Sequence, residues 1–84
     1  MNFILYGKRH CMLCEEAKVI LDLLQNEYVF QYREIDIYTD GNLVEKYHLS
    51  IPVLVYGDVI VDEGNIDYFQ VRNFLQNKNF SENS

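Results

Sequence analysis

Tryptophan is absent from this chain of 84 residues, proline occurs once, cysteine twice and glycine four times. Two cysteines are too few for a secreted domain stapled by several disulfides, so the pair points to catalysis or metal binding. Cations are also scarce. Lysine and arginine number seven against thirteen acids, a formal net charge of −6. Phosphate backbones need cations, so this balance argues against nucleic acid and against anionic membrane surfaces as partners. No apolar run approaches the roughly 18 residues that a membrane span needs. The apolar stretch at residues 2–6 is too short for a secretory signal and has no cleavage site. The expected setting is the cytoplasm, where thiols stay reduced unless they are at work.

What is present suffices for one small domain. Aliphatic and aromatic residues make up 49% of the chain, which rules out disorder. At this length the core is modest. Residues 1–77 are expected to form the domain and the polar residues 78–84 a frayed tail, and the protein is expected to be a monomer.

The organising stretch is Tyr6-Gly7-Lys8-Arg9-His10-Cys11-Met12-Leu13-Cys14. A short apolar strand at residues 2–6 runs into a glycine, then a loop, then a helical pattern over 12–26. Leu13, Ala17, Ile20, Leu21 and Leu24 carry the helical period. A second strand is expected within 29–37, either starting late near Arg33 or bulged, because its apolar phase changes midway. Residues 38–41 read as a turn and 42–47 as a short helix capped near Asp40 or Asn42. Pro52 stands just before Val53-Leu54-Val55-Tyr56, where a strand can begin. Gly57-Asp58 followed by Val59-Ile60-Val61 signals a hairpin. Gly64-Asn65 breaks that strand, and residues 66–76 form a last helix through Ile66, Phe69, Val71, Phe74 and Leu75. The order β-α-β-α-β-β-α gives an α/β domain: a parallel βαβ unit plus a hairpin, making a four-stranded mixed sheet with three flanking helices.

Cys11 falls at the mouth of the first helix, where unpaired N–H groups and the helix dipole favour a thiolate. Cys14 follows one turn later, on neighbouring ground. Exchange chemistry needs an accessible attacking thiolate and a second thiol to resolve the mixed disulfide. Cys11 suits the first role and Cys14 the second. Lys8, Arg9 and His10 favour the thiolate, while Glu15 and Glu16 oppose it. Other readings of the pair are two buried small residues, a zinc site with His10 and His48, or an iron–sulfur cluster shared between chains. The zinc reading lacks the usual ligand spacing. His48 is expected to be structural or exposed.

A Cys-x-x-Cys after the first strand of a βαβ unit is thioredoxin-like. The run from Phe3 to Cys14, with Lys8 three residues before Cys11, resembles the glutaredoxins. Ser50-Ile51-Pro52-Val53 resembles the loop that carries the cis-proline of that superfamily, and Gly64 with the following helix resembles the glutaredoxin glycine turn. The resemblance spans residues 2–76 and is nearest to the short glutaredoxin-like domains. The chain departs from typical glutaredoxins at Met12-Leu13 between the cysteines, at Leu49-Ser50-Ile51-Pro52, and in having one glycine before Asn65, Ile66 and Asp67.

The resemblance implies a thioredoxin-like fold and a dithiol oxidoreductase. It implies protein disulfides or glutathione mixed disulfides as partners and a thiol reductant. No organic cofactor is required, and glutathione is an optional co-substrate. It also implies a cis bond before Pro52, leaving the Ile51 backbone free to pair with an extended substrate. Lys8 is then a ligand for a substrate carboxylate, or otherwise an ordinary solvated lysine. Gly64, Asn65 and the N–H groups at the start of the last helix become an anion site, or Gly64 is only a turn glycine. The alternative from another class is a non-catalytic thioredoxin-fold module that holds a metal, a cluster or a protein partner.

Overall fold

The computed structural model describes residues 2–83. Its elements in chain order are strand β1 (Phe3–Gly7), helix α1 (Met12–Gln25), strand β2 (Tyr32–Asp36), a 3-10 turn (Ile37–Thr39), helix α2 (Gly41–Tyr47), strands β3 (Val53–Tyr56) and β4 (Val59–Glu63), and helix α3 (Tyr68–Asn77). The strands form one mixed sheet in the order β2-β1-β3-β4. β1 runs parallel to β2 and antiparallel to β3, and β3 runs antiparallel to β4 with a bulge between Leu54 and Val55. This is the α/β thioredoxin-like arrangement expected from the sequence. No helix among the described residues is long and apolar enough to cross a membrane.

Strand alternation divides the core in two, because successive side chains point to opposite faces of a sheet. Phe3 and Leu5 of β1 and Leu54 of β3 join Ala17, Leu21 and Leu24 of α1 and Val71 and Leu75 of α3. Ile4 and Tyr6 of β1 and Val53 and Val55 of β3 face the other way, onto Tyr47, Leu43 and Val44 of α2 and onto Ile37. α1 and α3 thus cover one face and α2 the other. Each fully buried Leu on these faces contributes roughly 1.5–3 kcal/mol through burial.

Local chemistry sets the boundaries. The second strand starts late, at Tyr32, and carries no bulge: its pairs with β1 run unbroken from Phe3–Tyr32 to Gly7–Asp36. Residues before it leave the sheet because Tyr28 and Phe30 bury their rings in the α1–α3 core. The expected turn at 38–41 is divided between the 3-10 turn and Asp40, whose carboxylate accepts from the Asn42 N–H and caps α2. The last helix begins at Tyr68, two residues later than the apolar pattern suggests. Ile66 is buried, but it lies in the connection before the cap residue Asp67. Phe69 is exposed, and its neighbour Tyr68 packs on the core instead.

The frayed tail is a correction. The Val29 N–H donates to the Ser81 carbonyl (2.7 Å) and the Asn83 N–H to the Glu27 carbonyl (2.8 Å). These bonds flank an antiparallel bridge between Tyr28 and Glu82. The Phe80 ring lies 5.5 Å from Phe3 and 5.7 Å from Tyr56, centroid to centroid. Polar composition hid one aromatic anchor and a pairing partner some fifty residues away. The Phe80→Ala variant is expected to lose about 2 kcal/mol of stability, below the 3–5 kcal/mol of a fully buried Phe because the ring is half-exposed. Denaturant titration measures this, and an unchanged midpoint would mean that the tail does not support the core.

Candidate functional site

The C-terminal end of β1 delivers the chain to the site. Lys8, Arg9 and His10 form an exposed loop, and His10 takes a left-handed backbone conformation (φ 55°). Such a conformation is uncommon for a residue with a side chain and recurs at functional sites. The next residue, Cys11, is extended (φ −124°) and is the N-cap of α1. Its carbonyl receives the Glu15 N–H at 3.1 Å, and its Sγ receives the Cys14 N–H at 3.2 Å. Cys11 and Cys14 are joined by a disulfide, with their Cα atoms 5.2 Å apart. Cys14 is 6% exposed and Cys11 half-buried, so the N-terminal sulfur is the accessible one. Leu13, placed on the apolar stripe by the sequence, turns outward together with Met12, which is 78% exposed. Cys14 takes the inward position instead.

Gly7 makes this packing feasible. A Cβ built on Gly7 would lie 3.0 Å from Cys14 Sγ and 3.4 Å from its Cβ. The bare Gly7 lets the helix press its second cysteine against the end of β1, where a Cβ would crowd the sulfur. Sequence reasoning treated Gly7 as a loop residue; its one signal was a glycine ending the strand that leads into the cysteines.

Lys8 and Arg9 line a cleft between α1 and the β1–β2 pair, and Cys14 forms part of its wall. Lys18, Glu15, Glu34 and Asp36 supply the other polar groups. Lys18 Nζ lies 2.9 Å from a Glu15 oxygen and 3.4 Å from one of Glu34. The hydrogen bond to Glu15 holds the Lys18 pKa above its ordinary value; desolvation opposes this and the charges of Glu34 and Glu15 reinforce it. One of the two acids that oppose a thiolate is therefore engaged by a cation.

On the other side of the cysteines, the Ile51–Pro52 peptide bond is cis and Pro52 is buried. Val53 follows directly and pairs with Tyr6 on one side and Glu63 on the other. The expectation of a free Ile51 backbone is corrected at its N–H, which donates to the Tyr47 carbonyl at 3.2 Å. Gly64 is more than a turn glycine, but its N–H does not await a ligand. That N–H donates to the carbonyls of Ser50 (3.0 Å) and Pro52 (2.8 Å), tying the loop to the end of β4. The left-handed backbone of Gly64 (φ 73°) suits glycine.

At the expected anion site near Asn65, part of the donor set is already engaged. Asn65 is exposed and precedes α3 by three residues. At the helix start, Asp67 accepts from the Gln70 N–H (2.9 Å), and Asp62 accepts from the Asp67 N–H (2.9 Å) and the Glu63 N–H (2.9 Å). The chain's own carboxylates thus occupy two of the N–H groups at this helix start. Asp62 was missed by sequence reasoning, since nothing local marks a strand residue as a partner for an amide five positions on. His48 is exposed with its Nδ1 2.8 Å from the Val44 carbonyl. Among the described residues no three His, Cys, Asp or Glu side chains converge on a metal position.

Comparison with known proteins agrees with this geometry. The family model of the glutaredoxin-like domain (DUF836) matches residues 2–76. The solution NMR structure of protein Ne2328 from Nitrosomonas europaea is 28% identical, with a TM-score of 0.76, over 87% of this chain and 88% of that one. The X-ray structure of protein XcR50 from X. campestris is 23% identical, with a TM-score of 0.77, over 90% of this chain and 97% of that one; it shows the shared fold. Among curated proteins none matches.

The close approach at Gly7 is open to a double-mutant test. The Gly7→Ala variant is expected to be less stable by roughly 1–3 kcal/mol through overpacking. The loss should shrink in a Cys14→Ala background, which removes the sulfur at 3.0 Å. Denaturant titration of the four proteins under reducing conditions gives the coupling, and equal losses in both backgrounds would place the cost elsewhere.

Proposed function

This chain belongs to the glutaredoxin-like domain family, and on that premise we propose that it is a thiol–disulfide oxidoreductase working through Cys11 and Cys14. The observation that carries the reading is the pairing of the two sulfurs at the start of α1, with Cys11 the accessible member and its Sγ on a helix N-terminal N–H. The working form is the dithiol. The Cys11 thiolate attacks one sulfur of a substrate disulfide, forming a mixed disulfide and expelling the other substrate thiolate. Cys14, having lost its proton, attacks Cys11 Sγ, releases the second substrate thiolate and closes the Cys11–Cys14 bond. Two electrons pass to the substrate, and two protons leave the protein for the two released thiolates or the solvent. A dithiol reductant, or two equivalents of a monothiol, restores the starting state. A cytoplasmic setting would supply such thiols.

The surroundings support a protein or peptide as the disulfide donor. Met12 and Leu13 flank Cys11 with exposed apolar surface, and Leu49, at the approach to the Pro52 loop, is 89% exposed. Exposed apolar side chains beside a reactive sulfur favour contact with a polypeptide over contact with a small solute.

Two variants and a titration test this reading. The Cys11→Ser variant is expected to lose disulfide reduction by at least a thousandfold. The Cys14→Ser variant should still attack and accumulate a mixed disulfide on Cys11, visible by mass. In redox buffers, the wild-type protein should show one reversible two-electron transition, with a midpoint within about −270 to −120 mV. Thiols that neither pair nor react across that range would overturn the reading in favour of a non-catalytic binding module.

A further inference from the structure

We propose that Lys18 takes part in the exchange reaction as the countercharge of the Cys14 thiolate, both when Cys14 closes the disulfide and when it leaves during reduction. This inference rests on the dithiol reading and adds a residue to it.

The two sulfurs are served differently. Cys11 Sγ is the more exposed and accepts the Cys14 N–H. Cys14 is 6% exposed, and among the described residues its Sγ accepts no hydrogen bond. Burial without a countercharge disfavours a thiolate. Yet Cys14 must be a thiolate twice in each cycle: as the closing nucleophile, and as the leaving group when a reductant attacks Cys11 Sγ.

Two independent placements bring Lys18 to Cys14. On α1 the two stand at i and i+4, so they share a face with Cβ atoms about 5–6 Å apart. Helical side chains lean toward the N-terminus, and the Lys18 contact with Glu15, one turn back, shows that lean. The sheet gives the same result. Cys14 Sγ packs on Gly7, which pairs with Asp36, and Lys18 Nζ reaches Glu34, which pairs with Leu5. These are successive same-face positions of the β1–β2 ladder, about 7 Å apart along the strands. Cys14 and Lys18 accordingly line one cleft.

The other charged groups of that cleft are Lys8 and Arg9 from the loop, Glu15 from α1, and Glu34 and Asp36 from β2. Lys8 and Arg9 are exposed, where water screens them, whereas Lys18 is half-buried. Asp36 accepts the Tyr38 N–H and opposes a thiolate. An ammonium has three donors, and Glu15 and Glu34 are only two partners, so one donor remains for a third anion. The Glu15 hydrogen bond holds the Lys18 pKa above its ordinary value, so the cation persists while thiols titrate. In closure the Cys14 proton passes to solvent, the thiolate attacks Cys11 Sγ, and the substrate thiolate departs. In reduction the reductant sulfur bonds to Cys11 Sγ, and the electron pair of the broken Cys11–Cys14 bond stays on Cys14 until solvent returns a proton. Lys18 remains charged in both.

The test is a single turnover of the reduced full chain with one equivalent of dithiodipyridine, an uncharged disulfide at neutral pH. Attack by Cys11 releases one coloured thione and closure by Cys14 releases the second, so both rates are read in one trace. At neutral pH the Lys18→Met variant is expected to close about tenfold more slowly, with the attack rate little changed. Its closure should reach half its maximal rate about one pH unit higher, so that alkali restores it. Lys18→Arg should keep most of the closing rate. Adding Lys18→Met to a Glu15→Gln/Glu34→Gln protein should still slow closure, because the cation acts on the sulfur and does not merely cancel the two acids. The attack rate within each protein controls for folding. Unchanged closure in Lys18→Met, a loss that alkali does not restore, or a loss that vanishes in the Glu15→Gln/Glu34→Gln background would overturn the proposal and leave the dithiol reading standing. A wild-type protein that never releases the second thione would overturn both.

Discussion

The contact between Cys14 and the end of β1 is the constraint on which the site depends. The sulfur sits there closely because Gly7 has no side chain, with 3.0 Å between Cys14 Sγ and the position that a Cβ would take. Helix α1 is fixed to the sheet by Ala17, Leu21 and Leu24, which repeat at helical spacing and pack on Phe3 and Leu5. Cys14 extends that stripe by one more turn toward the N-terminus. The core therefore sets the depth of the second sulfur, and the first, at the helix cap, is left at the surface. The more exposed sulfur and the buried one are two ends of one packing decision.

The second organising feature is the Pro52 loop. Pro52 is buried and Ile51 packs on the second core, while Leu49 points to water and Ser50 is polar. Four backbone bonds also hold it: the Ser50 and Ile51 N–H groups to the Tyr47 carbonyl behind, and the Gly64 N–H to the Ser50 and Pro52 carbonyls in front. Each such bond is worth about 1 kcal/mol net, and leaving a buried donor unpaired would cost more. The loop that faces the cysteines is thus tied to α2 on one side and to the end of β4 on the other. The Tyr6 ring stacked on Tyr47 at 4.7 Å links β1 to the same helix end.

Much of this was legible in the sequence where it depended on local pattern. The strand, glycine, loop and amphipathic helix around Cys11 and Cys14 could be read directly, because periodicity and helix-end chemistry act within a few residues. The hairpin at Gly57-Asp58 and the Asp40 cap were legible for the same reason. What escaped depended on distant partners. Phe80 and Ser81 look like tail residues until they meet Phe3 and Val29. Ile66 fits a helical pattern, yet it serves the core from a connection, because the Asp67 carboxylate starts the helix after it. The Ile51 and Gly64 amides look available in a sequence, since nothing in it shows which carbonyls will face them.

The consumption of those amides has a general logic in a chain this short. A small domain has too little core to fix its functional loops by burial alone. Each of its backbone donors can hold a loop or receive a ligand, but not both. Here the Ile51 and Gly64 donors hold the loop, and the Asp67 and Gln70 donors at the start of α3 go to Asp62 and Asp67. The amides that tie this loop in place are therefore ones it cannot offer to a ligand.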